Sequence, residues 1–293
     1  MNGIEERAEH LSEVIQESFK KELEDKENIG VMFSGGVDSA LIALLASRYA
    51  ENVNLYATGI EGSKDLVSAR DIADQLGMNL REAVVDKENI EDLLRESISI
   101  LEEFDVIDIE LGVPIIICSR MASQDGMDYL ALGQGSEELY AGYRRHEKAI
   151  EEGKDLKKML KEEVKNLSET EIARDDKVIE KFGLKGLYPF LNSEIVEESL
   201  KIPAEMKITE KYKKHVLRIA AKKLGVPEDS WKRPKKAMQY GSGIHKIIEK
   251  LPKEKGIDKK VSKEQGFYGP IQKHFYQLWT EVKGKEPNIE VQK

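Results

Sequence analysis

Apolar residues at the N-terminus recur at three- and four-residue spacings. Ile4, Ala8, Leu11, Ile15, Phe19 and Leu23 share one face of a helix over residues 4–25. The pattern then changes. Residues 28–33 form a short apolar run ending at Ser34-Gly35-Gly36, and 38–46 are almost entirely apolar. This order reads as strand, glycine turn and buried helix. Further strands are expected at 53–58, 80–85 and 129–132, the last closed by Gly133-Gln134-Gly135. Helices are expected over 64–76, stopping at Gly77, and over 89–103 and 114–124. Strands alternating with helices imply βαβ units, and so an α/β fold with a parallel sheet and helices on both faces. Ligands of such sheets sit at the carboxyl ends of the strands, where both glycine turns fall.

Beyond residue 137 the strand pattern fades. Residues 137–182 are charged and helical, 183–192 read as a loop around Pro189, and 193–225 and 237–280 are helical in pieces. No repeat or low-complexity linker interrupts them. The expected organisation is an N-terminal helix over 1–27 packed on the core, an α/β core over 28–150, and a mostly helical part over 151–293.

Composition narrows the picture modestly. The 293 residues, 40% hydrophobic and 34% charged, suffice for one large domain or two modest ones. No run of 18 apolar residues suggests a membrane span, and the charged first 25 residues lack a signal-peptide stretch, so a cytoplasmic protein is expected. The single cysteine, Cys118, follows Ile115–Ile117 and reads as core packing. The five histidines share no metal-ligand spacing. Charge is more informative than any of these. Against an overall −9, residues 1–200 hold 23 basic and 44 acidic side chains, and residues 201–293 hold 23 and 11. A basic C-terminal third suits an anionic partner, either phosphate or nucleic acid; it also suits a solvated lysine-rich surface.

The segment Ser34-Gly-Gly-Val-Asp-Ser39 carries the clearest chemistry. Glycines let the backbone turn sharply, and the N–H groups at a helix start favour an anion. Ser34 and Ser39 add hydroxyls. Asp38 would repel a phosphate unless a cation lay between them, which makes it a Mg²⁺ ligand. Neither Gly-x4-Gly-Lys-Ser/Thr nor Gly-x-Gly-x-x-Gly occurs.

This segment resembles the loop of the N-type ATP pyrophosphatases, and the match narrows to the synthetase half of asparagine synthetase and β-lactam synthetase. Four further segments follow in family order: Thr58-Gly-Ile-Glu-Gly-Ser-Lys-Asp65 with Ala73-Asp-Gln-Leu-Gly77; Gly133-Gln-Gly-Ser-Glu-Glu-Leu-Tyr-Ala-Gly-Tyr143; Arg174-Asp-Asp176 with Gly183–Asn192; and Lys214-His-Val-Leu-Arg218 with Arg233-Pro-Lys-Lys-Ala. The resemblance implies an adenine nucleotide alpha hydrolase-like fold and an enzyme that cleaves ATP to AMP and pyrophosphate, adenylating a small-molecule carboxylate for attack by ammonia or another amine. It implies that Ser34, Gly35, Gly36, Asp38 and Ser39 hold the phosphates and Mg²⁺. Met32, Phe33 and Thr58 line the adenine, Gly133 and Gly135 approach the α-phosphate, and Glu137 is the second Mg²⁺ ligand. Lys235 and Arg233 face the leaving pyrophosphate, placing 151–293 on the substrate and pyrophosphate side.

Departures from the family concern the acceptor. Gln134 stands for a glutamate and cannot take a proton from an incoming amine. Lys185 replaces glutamate, Leu187 arginine and Asn192 aspartate. Asn2 stands where the family glutaminase has its cysteine. The chain is therefore expected to lack a glutaminase and to use free ammonia, another amine, or a donor supplied by a separate amidotransferase. Two other readings share the ATP loop: an enzyme modifying tRNA or another RNA through the basic C-terminal third, and a nucleotide-binding subunit without catalysis.

Overall fold

One five-stranded sheet organises residues 2–233 and 238–289, the residues described by the computed structural model. The chain runs through α1 (Asn2–Leu23), β1 (Asn28–Met32), α2 (Val37–Tyr49), β2 (Asn52–Gly59), α3 (Lys64–Leu76) and β3 (Leu80–Val84). Helices α4 (Ile90–Ile100) and α5 (Val106–Gln124) lead to β4 (Tyr129–Ala131). Next come α6 (Ser136–Tyr140), α7 (Arg144–Glu151), α8 (Leu156–Asn166), α9 (Glu171–Glu180) and β5 (Lys185–Leu187). The remainder is helical: α10 (Ser193–Lys201), α11 (Ala204–Lys207), α12 (His215–Leu224), α13 (Glu228–Trp231), α14 (Met238–Gly241), α15 (Ile244–Ile248), α16 (Leu251–Glu254), α17 (Lys259–Glu264) and α18 (Pro270–Lys283).

Strand order is β3-β2-β1-β4-β5 and every pair is parallel. Alternation along β1 sorts the two faces. Ile29 and Val31 join a core with α1, α2 and α12, through Leu11, Ile15, Phe19, Leu41 and Leu217. Met32 and Tyr56 point into a second core with α4, α5, α9 and α18, built on Ile98, Val113, Ile116, Val178 and Phe275. Helices thus cover both faces, as the alternating pattern predicts. Both cores draw on residues from before and after position 150.

Two expectations need correction. Residues 185–187, read as loop, form edge strand β5, whose pairing with β4 supplies what a three-residue run cannot signal by itself. The helix expected at 114–124 begins at Val106, because Asp105 caps it by accepting from the N–H groups of Ile107 and Asp108 at 2.7 and 2.9 Å. Pro114 lies inside that helix.

The chain winds outward from β1 through β2 to β3, then returns to place β4 on the other side of β1. Order reverses between β1 and β4, so a crevice opens at their carboxyl ends. Several basic residues of the C-terminal third find counter-charges in the acidic body. Lys213 pairs with Glu147 at 2.7 Å, Lys223 with Glu9 at 2.6 Å, Lys255 with Glu91 at 2.8 Å and Arg233 with Asp65 at 2.7 Å. No helix among the described residues is long and apolar enough to cross a membrane.

Candidate active site

The crevice is a cavity of about 430 Å³, within the size range of small-molecule sites. Its glycine-loop end begins where β1 stops. Phe33 N–H still donates to Tyr56 O at 2.7 Å, and the chain then turns through Gly35 at φ +69°. A Cβ there would lie 2.5 Å from Ser68 O, so only glycine lets the turn press against α3. The hydroxyls knit the loop: Ser39 Oγ accepts from Ser34 N–H at 3.3 Å and donates to Gly36 O at 3.2 Å. No side chain caps the start of α2, which leaves its N–H groups facing the crevice.

The second turn follows β4. A Cβ on Gly133 would approach Asp38 Cβ at 3.1 Å, and one on Gly135, at φ +87°, would collide with Leu191 Cδ2 at 2.2 Å. The turn brings Glu137 opposite Asp38. Between them lies Lys214, fully buried, with Nζ 2.7 Å from Asp38 Oδ2, 2.9 Å from Glu137 Oε1 and 3.0 Å from Ser136 Oγ. Burial pushes the Lys214 ammonium pKa down, against the pull of Asp38. Lys214 sits at φ +54°, a conformation few non-glycine residues adopt and one that concentrates at functional sites. Gly142 leaves the space: a Cβ there would overlap Glu137 Oε2 at 1.6 Å and meet Lys214 Cε at 2.6 Å.

Asp38 and Glu137 therefore converge on one positive charge. Two carboxylates are the usual protein share of a Mg²⁺ site, whose shell is completed by substrate phosphates and water. Among the described residues no three His, Cys, Asp or Glu side chains group to hold a metal unaided. The donor set fits Mg²⁺ arriving with a nucleotide.

Side chains build the opposite end. Gln134 Nε2 donates to Asp175 Oδ2 at 2.5 Å; a carboxylate only accepts, so the amide is oriented and its Oε1 is left as an acceptor. Asp175 is fully buried, and Arg174 Nε donates to its Oδ1 at 2.8 Å. Arg174 Nη1 also reaches Asp108 Oδ1 at 2.8 Å. Burial outweighs Arg174 and raises the Asp175 pKa. Tyr143, Arg145 and Glu171 complete this wall, with Ile107, Leu111 and Pro114 of α5 as its apolar side. Arg145 is engaged with Glu163 at 2.8 Å and lies over the Tyr143 ring, 3.8 Å from its centroid.

Of the residues predicted from sequence, Met32, Phe33, Ser34, Gly36, Asp38, Ser39, Thr58, Gly133, Gln134, Glu137 and Arg233 line the cavity. Gly35 and Gly135 shape the turns without lining it. Arg233 is less available than an isolated cation: it donates to Ser34 O at 2.6 Å and Lys64 O at 2.9 Å, and pairs with Asp65. That clamps the phosphate loop to α3. Lys235 lies outside the described residues; Arg233 and Met238 on either side both line the cavity. Cys118 borders it, but burial pushes its thiol up to about 12, consistent with packing.

The structure also relocates the departures. Lys185 pairs with Tyr129 at the amino end of the sheet, over that ring at 5.9 Å, and Asn192 donates to Glu22 Oε2 at 2.7 Å. Neither they nor Leu187 line the cavity. Sequence reasoning singled out Lys214-His-Val-Leu-Arg218 without assigning a role. Its lysine is the buried cation, and Arg218 lines the cavity while holding Arg233 O at 2.9 Å. Arg174 falls in the quoted substrate-side segment and Tyr143 in the segment after β4, neither with an individual role; Arg145 and Glu171 were passed over, since charged helices signal mainly solvent exposure.

A phosphate loop, a paired-carboxylate site and a cavity at the reversal point of a parallel sheet define a nucleotide-binding α/β protein. Residues 10–154 and 147–290 match the asparagine synthase family, and the chain belongs to that family. It is 36% identical to "Putative asparagine synthetase (glutamine-hydrolyzing) 1" of Methanocaldococcus jannaschii, over 88% of this chain and 54% of that protein. Asparagine synthetase B of Escherichia coli is 27% identical over 71% of this chain and 40% of its own. Asparagine synthetase 1 of Lotus japonicus is 29% identical over 65% and 35%. The chain spans about half, or less, of the length of these curated relatives. Among solved structures, NMN synthetase from Francisella tularensis matches with a TM-score of 0.42 and 12% identity, over 98% of this chain and 88% of that one.

Proposed function

We propose that this chain is the synthetase module of an ATP-dependent, amide-forming ligase. It adenylates a small-molecule carboxylate, releases pyrophosphate, and lets ammonia or another amine attack the acyl-adenylate. The observation that carries the reading is the meeting of Glu137 and Lys214 with Asp38 of the Ser34–Ser39 loop. ATP would lie with its adenine against Met32, Phe33 and Thr58 and its phosphates on the loop and α2. Asp38 and Glu137 would hold Mg²⁺, which when bound neutralises charge on the departing pyrophosphate. Lys214 holds the two carboxylates in place and contributes a fixed positive charge. Arg233 keeps the loop in shape, and Lys235 is assigned the pyrophosphate itself. Gly133 lets the second turn approach the α-phosphate and the acid that attacks it, with the Gln134 wall beyond.

The basic C-terminal third motivated an RNA substrate. Its lysines at 213, 223 and 255 are ion-paired to the acidic body, which weakens that motive. The protein acts in the cytoplasm in this reading, with its amine free or delivered by an amidotransferase. The test is a product assay with ATP, Mg²⁺ and L-aspartate, then a panel of mono- and dicarboxylic acids. Acid-dependent AMP and pyrophosphate are expected. ADP and phosphate, or tight ATP binding without turnover, would overturn the proposal.

A further inference from the structure

Amide formation from an ammonium ion needs a base, and the family's glutamate position holds Gln134, which cannot serve. We propose that Glu171 is the catalytic base of this step and that the wall between Glu171 and Gln134 Oε1 is a subsite for an ammonium or primary alkylammonium nucleophile. The assignment rests on the ligase reading above.

Glu171 opens α9 and lines the same cavity as Gln134. Arg174 and Asp175, three and four residues on, share its helical face, and Asp175 is the residue that orients Gln134. One helix therefore positions both the carboxylate and the amide. The two neighbouring guanidiniums are committed elsewhere: Arg174 to Asp108 and Asp175, Arg145 to Glu163. Neither makes an ion pair with Glu171 among the described residues. The Glu171 carboxylate and the Gln134 amide oxygen place two acceptors on this wall, suited to an N–H donor.

The charges around Glu171 support the role. Burial raises its pKa first and the neighbouring Glu138 carboxylate of α6 next, to about 7. Arg174 and, from α7, Arg145 pull it down, while Asp175 pushes it up. A carboxylate poised near neutrality is basic enough to take a proton and is about half ionised at neutral pH. The step balances as follows. Glu171 takes one proton from the ammonium, freeing the nitrogen lone pair. That pair attacks the acyl carbon; the bond from this carbon to the AMP oxygen breaks, and its electrons leave with AMP. The nitrogen sheds its second proton to solvent.

The test compares the unmodified protein with Glu171→Gln, using L-aspartate or whichever acid supports adenylation. Acid-dependent exchange of pyrophosphate into ATP reports the first half-reaction and should change less than about threefold. Ammonium-dependent amide synthesis should fall about a hundredfold, within the range for loss of a general base. Hydroxylamine, unprotonated at neutral pH, needs no such base, so hydroxamate formation should survive. In the unmodified protein the rate at subsaturating ammonium should level off above about pH 7. In Glu171→Gln the residue of activity should follow free ammonia and keep rising about tenfold per pH unit. Unimpaired ammonium-dependent synthesis, or loss of hydroxamate along with amide, overturns the assignment while the ligase reading stands. Absence of exchange in the unmodified protein with every acid overturns both.

Discussion

The two ends of the cavity are constructed from different materials. At the end proposed for phosphate the backbone dominates: Gly35, Gly36 and Gly133 let main chain approach, α2 presents its N–H groups, and the side chains needed are few. At the end proposed for the acceptor, five residues from three stretches of chain meet through their side chains: Gln134, Tyr143, Arg145, Glu171 and Arg174. A phosphate is recognised by groups that every residue carries once the turn is made. An acid and an amine are recognised by particular side chains, and these can be exchanged while the ATP chemistry is kept. Substrate choice can therefore drift at one end of the cavity without disturbing the other.

If that division is right, the largest losses come from the phosphate end and affect every substrate equally. Asp38→Asn should lower AMP and pyrophosphate formation by about a thousandfold or more, since it removes half of the proposed Mg²⁺ ligand set and a charge facing Lys214. Full activity in a folded Asp38→Asn protein, measured by pyrophosphate release, would reject the metal assignment. Gly142→Ala is subtler, because its backbone φ is ordinary and the damage is confined to Glu137 and Lys214. A loss of about a hundredfold in pyrophosphate release is expected, with native circular dichroism. An active Gly142→Ala enzyme would show that Glu137 can leave its position at no cost.

The acceptor end should show the opposite behaviour, function held at the expense of stability. The Glu171 pKa is raised in the folded protein above its usual value of 4.5, to about 7. The folded state then holds the proton more tightly than the unfolded chain. Stability from this residue is fully present below about pH 4.5, declines as pH rises, and is lost above about pH 7. Partial exposure discounts the ionisation cost to about 1–3 kcal/mol. Glu171→Gln should therefore melt several degrees higher than the unmodified protein at pH 8 and at about the same temperature at pH 4.5, as followed by calorimetry. A stability difference independent of pH would mean that the carboxylate is not perturbed.

The same contrast explains what was legible in the sequence. Contiguous backbone devices were readable: the β1 turn, the β4 turn and the apolar runs of β1, β2 and α2 place the crevice before any coordinates are known. Asp38 follows from its place beside the first turn, whereas Glu137 is read from the family resemblance of the segment after the second. Lys214 was written in a quoted segment, yet its burial depends on α12 folding back over α2 and α6, and no local pattern encodes that return. Glu171 and Arg145 sit on helices whose other positions are solvated, so spacing gives no hint that these particular charges turn inward. Strand β5 was missed for a related reason. Three residues carry too little pattern, and only the neighbouring strand makes them extended.

The smallest effect is the most direct test of the division. Departures at positions 185, 187 and 192 suggest from sequence that the acceptor site is rebuilt, since charge is reversed or removed at each. In space, Lys185 pairs with Tyr129 at the amino end of β4, the opposite end of the strand from Gly133 and Gln134. It shares the Tyr129 ring with Lys26, which lies 5.7 Å from its centroid. Lys185→Glu would exchange one solvated charge for another and bring a carboxylate near the Lys26 ammonium, an exposed arrangement generally contributing less than about 1 kcal/mol. Acid specificity and amide formation should stay within about twofold of the unmodified protein. Gln134→Ala, which removes the amide that Asp175 orients, should instead shift the KM for the acid or the amine. If Lys185→Glu changed the preferred acid, substrate choice would be set through the sheet from its far end, and the cavity wall of α7 and α9 would no longer account for it.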